Sequence, residues 1–405
     1  MISLDDAVAT VVEACAPLAP RSVPVSEATG HVLAEDVRAV DPVPPFANSA
    51  MDGYAVRSAD IASATPDLPA RLKVIGTVAA GHAPSATVGE GEALRIMTGA
   101  LFPDGADTVA IVENTSTDGD DVLVFERSEP GDHVRGAGED IPAGAEVFPA
   151  GTVLGPGHVG VLCSVGREKI QAVALPTVGV LSTGDELVEG GAALLPGQIR
   201  DSNRRTLTAL VSRDGFRAVD LGIAPDDEDE IERRLTLAAS TCDAILTSGG
   251  VSMGDFDYVK AVLDRIASMR WMQIAIRPAK PFAFGMLGDI PVFGLPGNPV
   301  SSMVSYELLA RPGLRKMAGF PPGLWRREEV TGIADDSWRG STDGRTSFVR
   351  VVATFGEDGR LHARGAGGQG SHQLHAMSLS NALAVVEPGV SVAPGDRVRL
   401  MPLFS

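Results

Sequence analysis

The sequence predicts a multidomain protein that combines an α/β domain with a β-rich insertion domain and a small C-terminal β-barrel. Its length of 405 residues is enough for about two to four domains. Between residues 174 and 317, short apolar runs alternate with helix-like stretches, as in βαβ units. On both sides of that region, apolar runs are separated by clusters of Gly, Pro and Asp, and the totals of 46 Gly and 28 Pro indicate many turns.

The composition limits the function and the compartment. A net charge of −18 and an isoelectric point near 4.8 argue against nucleic acid as a partner, although a few basic side chains focused in a cleft can still bind a small anion. Cys15, Cys163 and Cys242 show no CxxC spacing, so neither a disulfide framework nor a zinc site is expected. Because the sequence has no signal-peptide pattern and no membrane-length apolar run, a cytoplasmic protein without a membrane partner is expected.

The first element is a helix predicted over residues 3–16, with Ser3 as N-cap and Pro17 at its end. Residues 32–148 then carry the short apolar runs of a β-rich module. The stretch "STDGDD" (116–121) is a hairpin-type connection within it.

The α/β region begins with the strand "LPTVGVLSTG" and continues with "RAVDLGI" and "DAILTSGG". Helices are predicted after these strands, the first beginning at Asp201 or Ser202 and the last spanning 298–317. The runs "MQIAIRP", "KPFAFGML" and "PVFGLPG" read as further strands, and a parallel sheet is predicted. From residue 320 onward, two-residue periodicity and the hairpin "FGEDGRLHAR" predict a small antiparallel barrel or sheet.

Four loops follow strand ends on what should be one edge of the sheet: 182–187, 222–227, 248–258 and 294–302. Open α/β sheets bind ligands outside the carboxyl ends of their strands. Glycines such as Gly249 and Gly250 let a backbone close on an anion, and Ser252 adds a hydroxyl in the same loop. Asn298, Ser301 and Ser302 open the last helix and supply further donors. These loops therefore predict a phosphate or nucleotide site.

The same loops are rich in carboxylates, which repel a phosphate unless a hard cation lies between them. Mg²⁺ held by one or two carboxylates and phosphate oxygens is the usual arrangement. Acids in the first turn of a helix can instead serve only the helix dipole. Glu186 and Asp257 are favoured as ligands because each lies in a Gly- and Ser-containing loop. The acids concerned are Asp185, Glu186, Asp226, Asp227, Asp255 and Asp257.

Basic side chains near these loops are few. Each could form only a surface ion pair, or together they could bind an oxyanion. The glycine-rich segment 365–372 is either a linker or a ligand-binding loop. His372 and His375 lack a third ligand at a matching spacing, so surface or capping roles are favoured over metal binding. The basic candidates are Arg135, Arg277, Lys280, Arg345 and Arg350.

Seven motifs in this order resemble the molybdopterin molybdenumtransferase family (MoeA type, related to the E domain of gephyrin) over nearly the whole chain. The motifs are "PPFANSAMDGYAV", "RIMTGALFPDGADTV", "GEDIPAGAEVFPAGTVLGP", "VGVLSTGDEL", "SGGVSMGDFDYVK", "KPFAFG" and "LPGNPVSS".

The resemblance implies a homodimer of four-domain chains. Residues 1–31 plus 137–173 would form a linker and dimerisation domain, and 32–136 a β-rich insertion domain. Residues 174–318 would form a three-layer α/β domain of the molybdopterin-binding type, and 319–405 the C-terminal β-barrel domain.

The implied reaction uses adenylylated molybdopterin, molybdate and Mg²⁺, releases AMP and leaves molybdenum on the dithiolene. Family functional positions fall on Asp52, Thr98, Arg135, Asp140, Glu186, Asp226, Asp257, Arg350 and Ser371. The expected catalytic residues are Asp52, Thr98, Asp140, Glu186 and Asp257, and the expected Mg²⁺ ligands are Glu186, Asp226 and Asp257. Substrate binding is expected at Arg135, Ser182, Gly184, Ser248, Gly249, Gly250, Ser252, Arg277, Lys280, Pro296, Asn298, Ser301, Arg350 and Ser371.

One departure from the family pattern and two alternatives stay open. Gln273 and Arg277 stand where many relatives carry lysines, so one positive charge is lost and one is kept. The α/β region alone would also suit the adenylyltransferase of the same pathway, and a non-catalytic cofactor-binding scaffold is the second alternative. Implied protein partners are the pathway adenylyltransferase and the molybdoenzymes that receive the cofactor.

Overall fold

The structure, a computed structural model, describes residues 1–191, 193–250 and 258–403. The chain divides into two units. Unit 1 comprises Met1–Ser22, Gly30–Ala34 and Gln171–Ser405, and unit 2 comprises Val23–Thr29 and Glu35–Ile170.

The α-helices are α1 (Leu4–Ala14), α2 (Ser58–Ile61), α3 (Pro156–Ser164), α4 (Asn203–Arg213), α5 (Glu228–Thr241), α6 (Tyr258–Ile266), α7 (Pro299–Ser305), α8 (Arg311–Met317) and α9 (Leu374–Leu379). A π-helical segment, Tyr306–Ala310, joins α7 to α8. The predicted helix over 298–317 is therefore continuous but contains a π-helical segment. At the other end of the chain, the predicted helix α1 is confirmed, and the Ser3 side chain caps it by accepting a hydrogen bond from the Asp6 amide.

The first fourteen strands are β1 (Pro20–Pro24), β2 (Val37–Arg38), β3 (Asn48–Ser49), β4 (Gly53–Val56), β5 (Ala70–Val78), β6 (Glu92–Ile96), β7 (Thr108–Ile111), β8 (Thr115–Asp118), β9 (Asp121–Val124), β10 (Val134–Arg135), β11 (Glu146–Phe148), β12 (Lys169–Val173), β13 (Thr177–Thr183) and β14 (Leu187–Val188). The remaining strands are β15 (Ile199–Arg200), β16 (Arg217–Ala224), β17 (Ala244–Ser248), β18 (Ser268–Gln273), β19 (Ile276–Arg277), β20 (Pro281–Leu287), β21 (Ile290–Leu295), β22 (Val330–Ala334), β23 (Trp338–Arg339), β24 (Thr346–Phe355), β25 (Leu361–Gly365), β26 (Ala382–Val386), β27 (Ser391–Val392) and β28 (Arg397–Pro402).

The α/β sheet of unit 1 has six strands in the order β16-β13-β17-β21-β20-β18. The first four run parallel, whereas β20 and β18 are antiparallel to their neighbours. Since β18 is antiparallel to β20, it runs in the same direction as the four parallel strands, and the prediction of a parallel sheet was wrong only for β20. The physical reason is the short connection Gly288-Asp289 between β20 and β21, because a two-residue loop can join only antiparallel strands.

Apolar side chains from this sheet and from helices α5 and α6 form one core. Leu181, Ile245 and Val292 come from three neighbouring strands, and all three are fully buried against Leu235 and Val262 of the helices. Burying such side chains is the main stabilising contribution, about 1.5–3 kcal/mol each. The core holds the parallel strands in register and so fixes the edge at which they end.

The C-terminal strands form a closed five-stranded barrel, β24-β25-β22-β28-β26, in which β26 pairs back onto β24. The predicted barrel and the hairpin between β24 and β25 are confirmed, but β22 and β25 run parallel, so the barrel is not wholly antiparallel. The run "MQIAIRP" is not one strand. It splits after Gln273, and its second part, β19, pairs with barrel strand β24 instead of the α/β sheet.

Unit 2 is built on a six-stranded sheet in the order β7-β4-β6-β5-β9-β8. Along β4, Tyr54 and Val56 join one apolar cluster and Ala55 joins another, so both faces of the sheet are covered. The predicted β-rich module is confirmed. The predicted connection at 116–121 is the hairpin between β8 and β9, where Gly119 has a φ of 64° that favours glycine.

Two further sequence expectations concern thiols and membranes. Cys15, Cys163 and Cys242 are free thiols. Within the part of the chain that the structure describes, no helix combines the length and apolar character needed to cross a bilayer.

The close approach of β20 to β18 gives a stability prediction. A Cβ added at Gly285 would lie 2.2 Å from the Ser268 carbonyl oxygen, whereas one added at Gly323 would meet nothing within 4 Å. Gly285→Ala should lower the free energy of unfolding by about 1–3 kcal/mol through overpacking, and Gly323→Ala should change it little. Urea unfolding followed by tryptophan fluorescence reports on unit 1, which contains all three tryptophans. Equal stability of the two variants would contradict the packing described here.

Candidate active site

The carboxyl ends of four parallel strands meet at one edge of the α/β sheet. Strand β13 pairs in parallel with β16 and β17, and β17 with β21. The described residues that follow these strands therefore lie side by side, as the sequence predicted. We call the described residues of these loops, together with the start of α4, the strand-end site.

A buried ion pair lies at the base of the strand-end site. Asp201 precedes α4, and its Oδ1 accepts hydrogen bonds from Ser182 Oγ at 3.1 Å and from the Arg204 amide at 3.1 Å. Its Oδ2 accepts from Arg204 Nε at 2.9 Å, and both side chains are only 1% exposed. The carboxylate thus caps α4, compensates a buried guanidinium and orients the Ser182 hydroxyl.

Two further acids surround Arg204. Its Nη1 donates to Asp220 of β16, and its Nη2 lies 2.9 Å from Glu189 Oε1. Burial alone would lower the pKa of Arg204, but its bonds to Glu189, Asp220 and Asp201 outweigh burial and raise that pKa. The guanidinium therefore stays charged and ties α4 to strands β13 and β16.

Asn203 connects the remaining two strand ends. Its Nδ2 donates to Ser248 Oγ at the end of β17 and to the Gly297 carbonyl oxygen after β21, both at 2.7 Å. From the sequence, Asp201 was expected only as a helix cap, and Asn203 was not expected to have a role. The overlooked signal was the polar run "RDSN", which stands directly before a helix in an α/β unit.

Glycines let the backbones of these loops approach one another. Gly249 and Gly250 have φ values of 95° and 72°, which favour glycine. A Cβ on Gly249 would contact Thr183 at 3.4 Å, and one on Gly297 would come within 3.9 Å of the Gly249 Cα. Side chains are thereby kept out of a surface made of backbone and hydroxyl groups, which suits a phosphate or nucleotide. Pro296, which follows β21, is buried beside this surface.

The described carboxylates of the site lie on the loops after β13 and β16. The exposed Glu186 carboxylate covers Gly184, since a Cβ there would meet its Oε2 at 2.3 Å. Asp185 Oδ1 accepts from the Asp226 amide at 3.0 Å, and Asp226 Oδ2 accepts from the Asp185 amide at 3.4 Å. Glu186 and Asp226 therefore belong to loops that contact each other. Ser252, Asp255 and Asp257 lie outside the described residues.

Arg350 in barrel strand β24 is 1% exposed. Its Nη2 donates to the Gly368 carbonyl oxygen at 2.6 Å, while its buried Nε has no hydrogen-bond partner within residues 1–191, 193–250 and 258–403. Burial lowers the pKa of Arg350, and no carboxylate of the described residues offsets that effect. A buried cation without a counterion is a suitable partner for an anion.

The glycine-rich segment 365–372 connects Arg350 with the strand-end site. The Ser371 carbonyl oxygen accepts a hydrogen bond from the Val300 amide at 3.1 Å, in the first turn of α7. Asn298 precedes that helix, and Ser301, which is 5% exposed, lies in its first turn. The segment is therefore packed onto the helix that follows β21 and does not behave as a simple linker. Among the described residues, no cluster of three or more potential metal ligands involves His372 or His375.

Arg277 and Lys280, the two basic residues that precede β20, differ in exposure and in their position relative to the strands. Arg277 is exposed in β19 beside the barrel, paired with Ser347 of β24. Lys280 is half-buried directly before β20, and its carbonyl oxygen accepts from the Ile274 amide at 2.7 Å. Gln273, the neutral departure from the family pattern, is exposed at the end of β18.

Unit 2 brings together Asp52 and Thr98, which are 46 residues apart in sequence. Asp52 Oδ1 accepts from the Thr98 amide at 2.7 Å and from Thr98 Oγ1 at 2.8 Å. These two hydrogen bonds, the amide bond first, lower the pKa of Asp52. The carboxylate is thus held ionised on the surface of unit 2.

Arg135 and Asp140 are exposed in the same unit. Arg135 lies opposite Asn48 in the pairing of β10 with β3, and the Asp140 amide donates to the Val43 carbonyl oxygen at 3.0 Å. The amide of Ala50, two residues before Asp52, also donates to the His133 carbonyl oxygen at 2.8 Å. Three separate sequence motifs therefore meet in unit 2.

Comparison with known protein families finds three matching regions. Residues 2–166 match the MoeA N-terminal region (domain I and II), and residues 179–316 match the probable molybdopterin binding domain. Residues 334–403 match the MoeA C-terminal region (domain IV).

Individual relatives extend over nearly the whole chain. The chain is 37% identical over 406 residues to the molybdopterin molybdenumtransferase of Haemophilus influenzae. The aligned region covers 99% of this chain and 98% of that protein. It is 31% identical over 368 residues to gephyrin of Dictyostelium discoideum, over 79% of this chain and 50% of gephyrin. The crystal structure of the molybdopterin biosynthesis MoeA protein from Pyrococcus horikoshii OT3 superposes with a TM-score of 0.82 at 27% identity, covering 99% of this chain and 100% of that one.

The buried ion pair at the base of the strand-end site predicts an asymmetry between adjacent arginines. Arg204→Met should cost about 3–5 kcal/mol of unfolding free energy, because it leaves the buried Asp201 carboxylate uncompensated. Arg205→Met removes a guanidinium whose side chain is 60% exposed and should cost less than about 1 kcal/mol. Urea unfolding followed by tryptophan fluorescence measures both, and similar losses in the two variants would show that the pair does not act as a buried clamp.

The hydrogen bonds to Asp52 predict a change in its titration. Thr98→Val removes the Oγ1 bond and leaves the stronger amide bond, so the pKa of Asp52 should rise but remain below its ordinary value. Since the folded pKa lies below the unfolded one, these bonds stabilise the fold above the unfolded pKa and lose their effect as pH falls through the folded pKa. Carboxyl NMR titration gives the value, with exposed Thr117→Val as control. An unchanged Asp52 pKa in Thr98→Val would contradict the geometry.

Proposed function

Since the chain belongs to the MoeA family and is a molybdopterin molybdenumtransferase, we propose that it inserts molybdenum into adenylylated molybdopterin. Molybdate is the metal donor, Mg²⁺ the metal ion that assists, and AMP the leaving product. The acting species is a homodimer in the cytoplasm. One observation carries this proposal. The segment 365–372 accepts a hydrogen bond from buried Arg350, which has no carboxylate partner among the described residues, and the same segment is hydrogen-bonded to α7, the helix after the strand-end site.

The strand-end site is proposed to bind the pterin and the pyrophosphate. Gly249 and Gly297 keep side chains off this surface, and Gly250 lets the loop after β17 pack against Val259 of α6. Ser182 and Ser248 supply hydroxyls from neighbouring strand ends. Asp201 and Asn203 already occupy one hydrogen-bonding position on each serine. The serines are thereby held in fixed orientations before a ligand arrives, which lowers the entropic cost of binding.

The described acids fit a magnesium ion of the kind that nucleotides carry. Glu186 is exposed on the Gly184 turn, and Asp226 lies on the loop that contacts it. Mg²⁺ bound mainly through phosphates needs only one or two carboxylates, so a dedicated protein cage is not required. We propose Glu186 and Asp226 as ligands, with Asp257 as a third. When bound, the ion would neutralise charge that develops on the phosphates.

An oxyanion site for molybdate is proposed around Arg350 and Ser371, with Arg277 and Lys280 as additional positive charges. Arg350 is the strongest member because its buried guanidinium has an unpartnered Nε and no carboxylate in contact within the described ranges. Bonds from a guanidinium to an oxyanion are charge-assisted and about twice as strong as neutral ones. Arg135, Pro296, Asn298 and Ser301 are proposed to contact the organic part of the substrate or its phosphates.

The proposed reaction has two parts whose atoms balance. Cleavage of the phosphoanhydride consumes one water and gives AMP and the pterin monophosphate. Exchange of one oxo ligand of molybdate for the dithiolene forms two Mo–S bonds and releases one water, which carries away the two thiol protons. We propose that Glu186 or Asp257 passes protons at the strand-end site and that Asp52, held ionised by Thr98, and Asp140 act in the same reaction.

The experiment follows AMP and the metallated pterin after the protein is mixed with adenylylated molybdopterin, Mg²⁺ and molybdate. Glu186→Gln should lower the rate of AMP release by about 10²-fold or more, and Asp257→Asn should abolish it. Glu232→Gln removes a carboxylate from the exposed side of α5 and should leave the rate unchanged. The proposal fails if AMP release is unaffected by Glu186→Gln. Formation of adenylylated pterin from ATP and molybdopterin without molybdate would instead identify an adenylyltransferase, and binding without turnover a scaffold.

A further inference from the structure

A second group of arginines lies in unit 1 outside the strand-end site. They line a cavity of about 260 Å³ between α8, the segment 324–330 and the end of β28. We call this cavity the basic pocket. Its polar lining consists of Arg311, Arg315, Arg326, Arg327 and Glu328, with Pro402 among the apolar lining residues. Arg311, the first residue of α8, follows Pro299 at the start of α7 by twelve positions, which is about 18 Å along a helix. The basic pocket is therefore separate from the strand-end site.

Two of these arginines are fixed by buried contacts. Arg311, 6% exposed, donates from Nη1 to the Trp325 carbonyl oxygen at 3.1 Å, and its Nε lies 3.2 Å from Asp214 Oδ2. Arg327, whose side chain is also 6% exposed, donates from Nε to Glu307 Oε2 at 2.7 Å. These contacts hold the two guanidinium groups in place in the absence of a ligand.

The carboxylates do not balance the arginines. Asp214 and Glu307 also pair with Arg213, at 3.4 and 2.6 Å, so two buried acids serve three guanidinium groups. Glu307 lies in the π-helical segment, and such segments are frequent at functional sites. Among residues 1–191, 193–250 and 258–403, this buried network therefore has one more positive charge than it has negative charges.

Arg315 adds a second uncompensated charge. In the part of the chain that the structure describes, no carboxylate lies within ion-pair distance of Arg315, and its buried Nε has no hydrogen-bond partner. Its guanidinium carbon lies 3.7 Å from the centre of the Phe320 ring, which holds the group by stacking. Burial, and then the repulsion from Arg311, lowers the pKa of Arg315 to about 10; the attraction of Asp214 opposes this shift, and the repulsion from Arg327 adds to it. Arg315 therefore remains charged at neutral pH.

The remaining charged groups lie at the rim. Arg326 pairs with Asp5 of α1 at 2.7 Å, and both side chains are largely exposed. Glu328 is exposed. Asp5 and Glu328 are exposed, so neither balances the excess positive charge of the buried arginines.

We propose that the basic pocket binds a small phosphate-type dianion, either inorganic phosphate or the phosphate group of a small monoester. Two negative charges match the two uncompensated guanidinium groups. The planar forks of arginine fit the oxygens of a phosphate in pairs. A cavity of about 260 Å³ admits a phosphate group with a small substituent.

The test is calorimetric titration of the full chain with inorganic phosphate, and separately with glycerol 3-phosphate, at matched ionic strength. It uses Arg350→Gln as background, so that oxyanion binding at Arg350 does not contribute. We expect one phosphate per chain. Adding Arg315→Gln should weaken binding roughly tenfold or more through loss of a charge-assisted hydrogen bond. Arg265→Gln, which removes an exposed arginine of α6, should leave the affinity unchanged.

Two additional variants keep the test decisive. Arg315→Lys keeps the charge without the fork and should give an intermediate affinity. If Arg315→Gln does not fold, Arg326→Gln changes the exposed rim instead and should weaken binding. The proposal is overturned if the Arg350→Gln protein binds no phosphate, or if neither Arg315→Gln nor Arg326→Gln weakens binding. Tighter binding of glycerol 3-phosphate than of phosphate would identify the monoester as the better ligand. Molybdenum insertion should be unchanged in Arg315→Gln alone.

Discussion

The ion pair between Arg204 and Asp201 is the contact on which the strand-end site depends. Both side chains are almost completely buried at the start of α4, where two neighbouring parallel strands end. A buried charge costs several kcal/mol unless it is paired and hydrogen-bonded. Because the pair satisfies that requirement only in one arrangement, it fixes the position of α4 relative to β13 and β16. The same arrangement fixes the position of Ser182, which donates to Asp201, and of Asn203, which is the first residue of α4.

The chemistry follows from what surrounds this fixed base. Glycine backbones and oriented hydroxyls give a surface for phosphates, and exposed carboxylates lie beside it rather than within it. Arg350, a buried arginine that has no carboxylate partner within the described ranges, is connected to the same region through the backbone of the segment 365–372. Under the proposed function, these separate places would let one protein hold the phosphates, the metal ion and the oxyanion apart from one another.

Much of this could be predicted from sequence, and the exceptions have physical causes. The strand-end loops were predictable because parallel strands end at a common edge and glycine, serine and acidic residues mark that edge. Asn203 was not predictable in its role, because its partners Ser248 and Gly297 lie 45 and 94 residues away. The run "MQIAIRP" has the composition of a strand throughout, and only tertiary pairing with the barrel shows that it divides between two sheets.

The most direct measurement of the central claim is a crystal structure of the protein with adenylylated molybdopterin and Mg²⁺. The account predicts that the pyrophosphate lies within hydrogen-bond distance of the Gly249 region and of Ser182, with α4 held by Arg204 and Asp201 as described here. A ligand bound elsewhere on the chain, with the strand-end site empty, would contradict it.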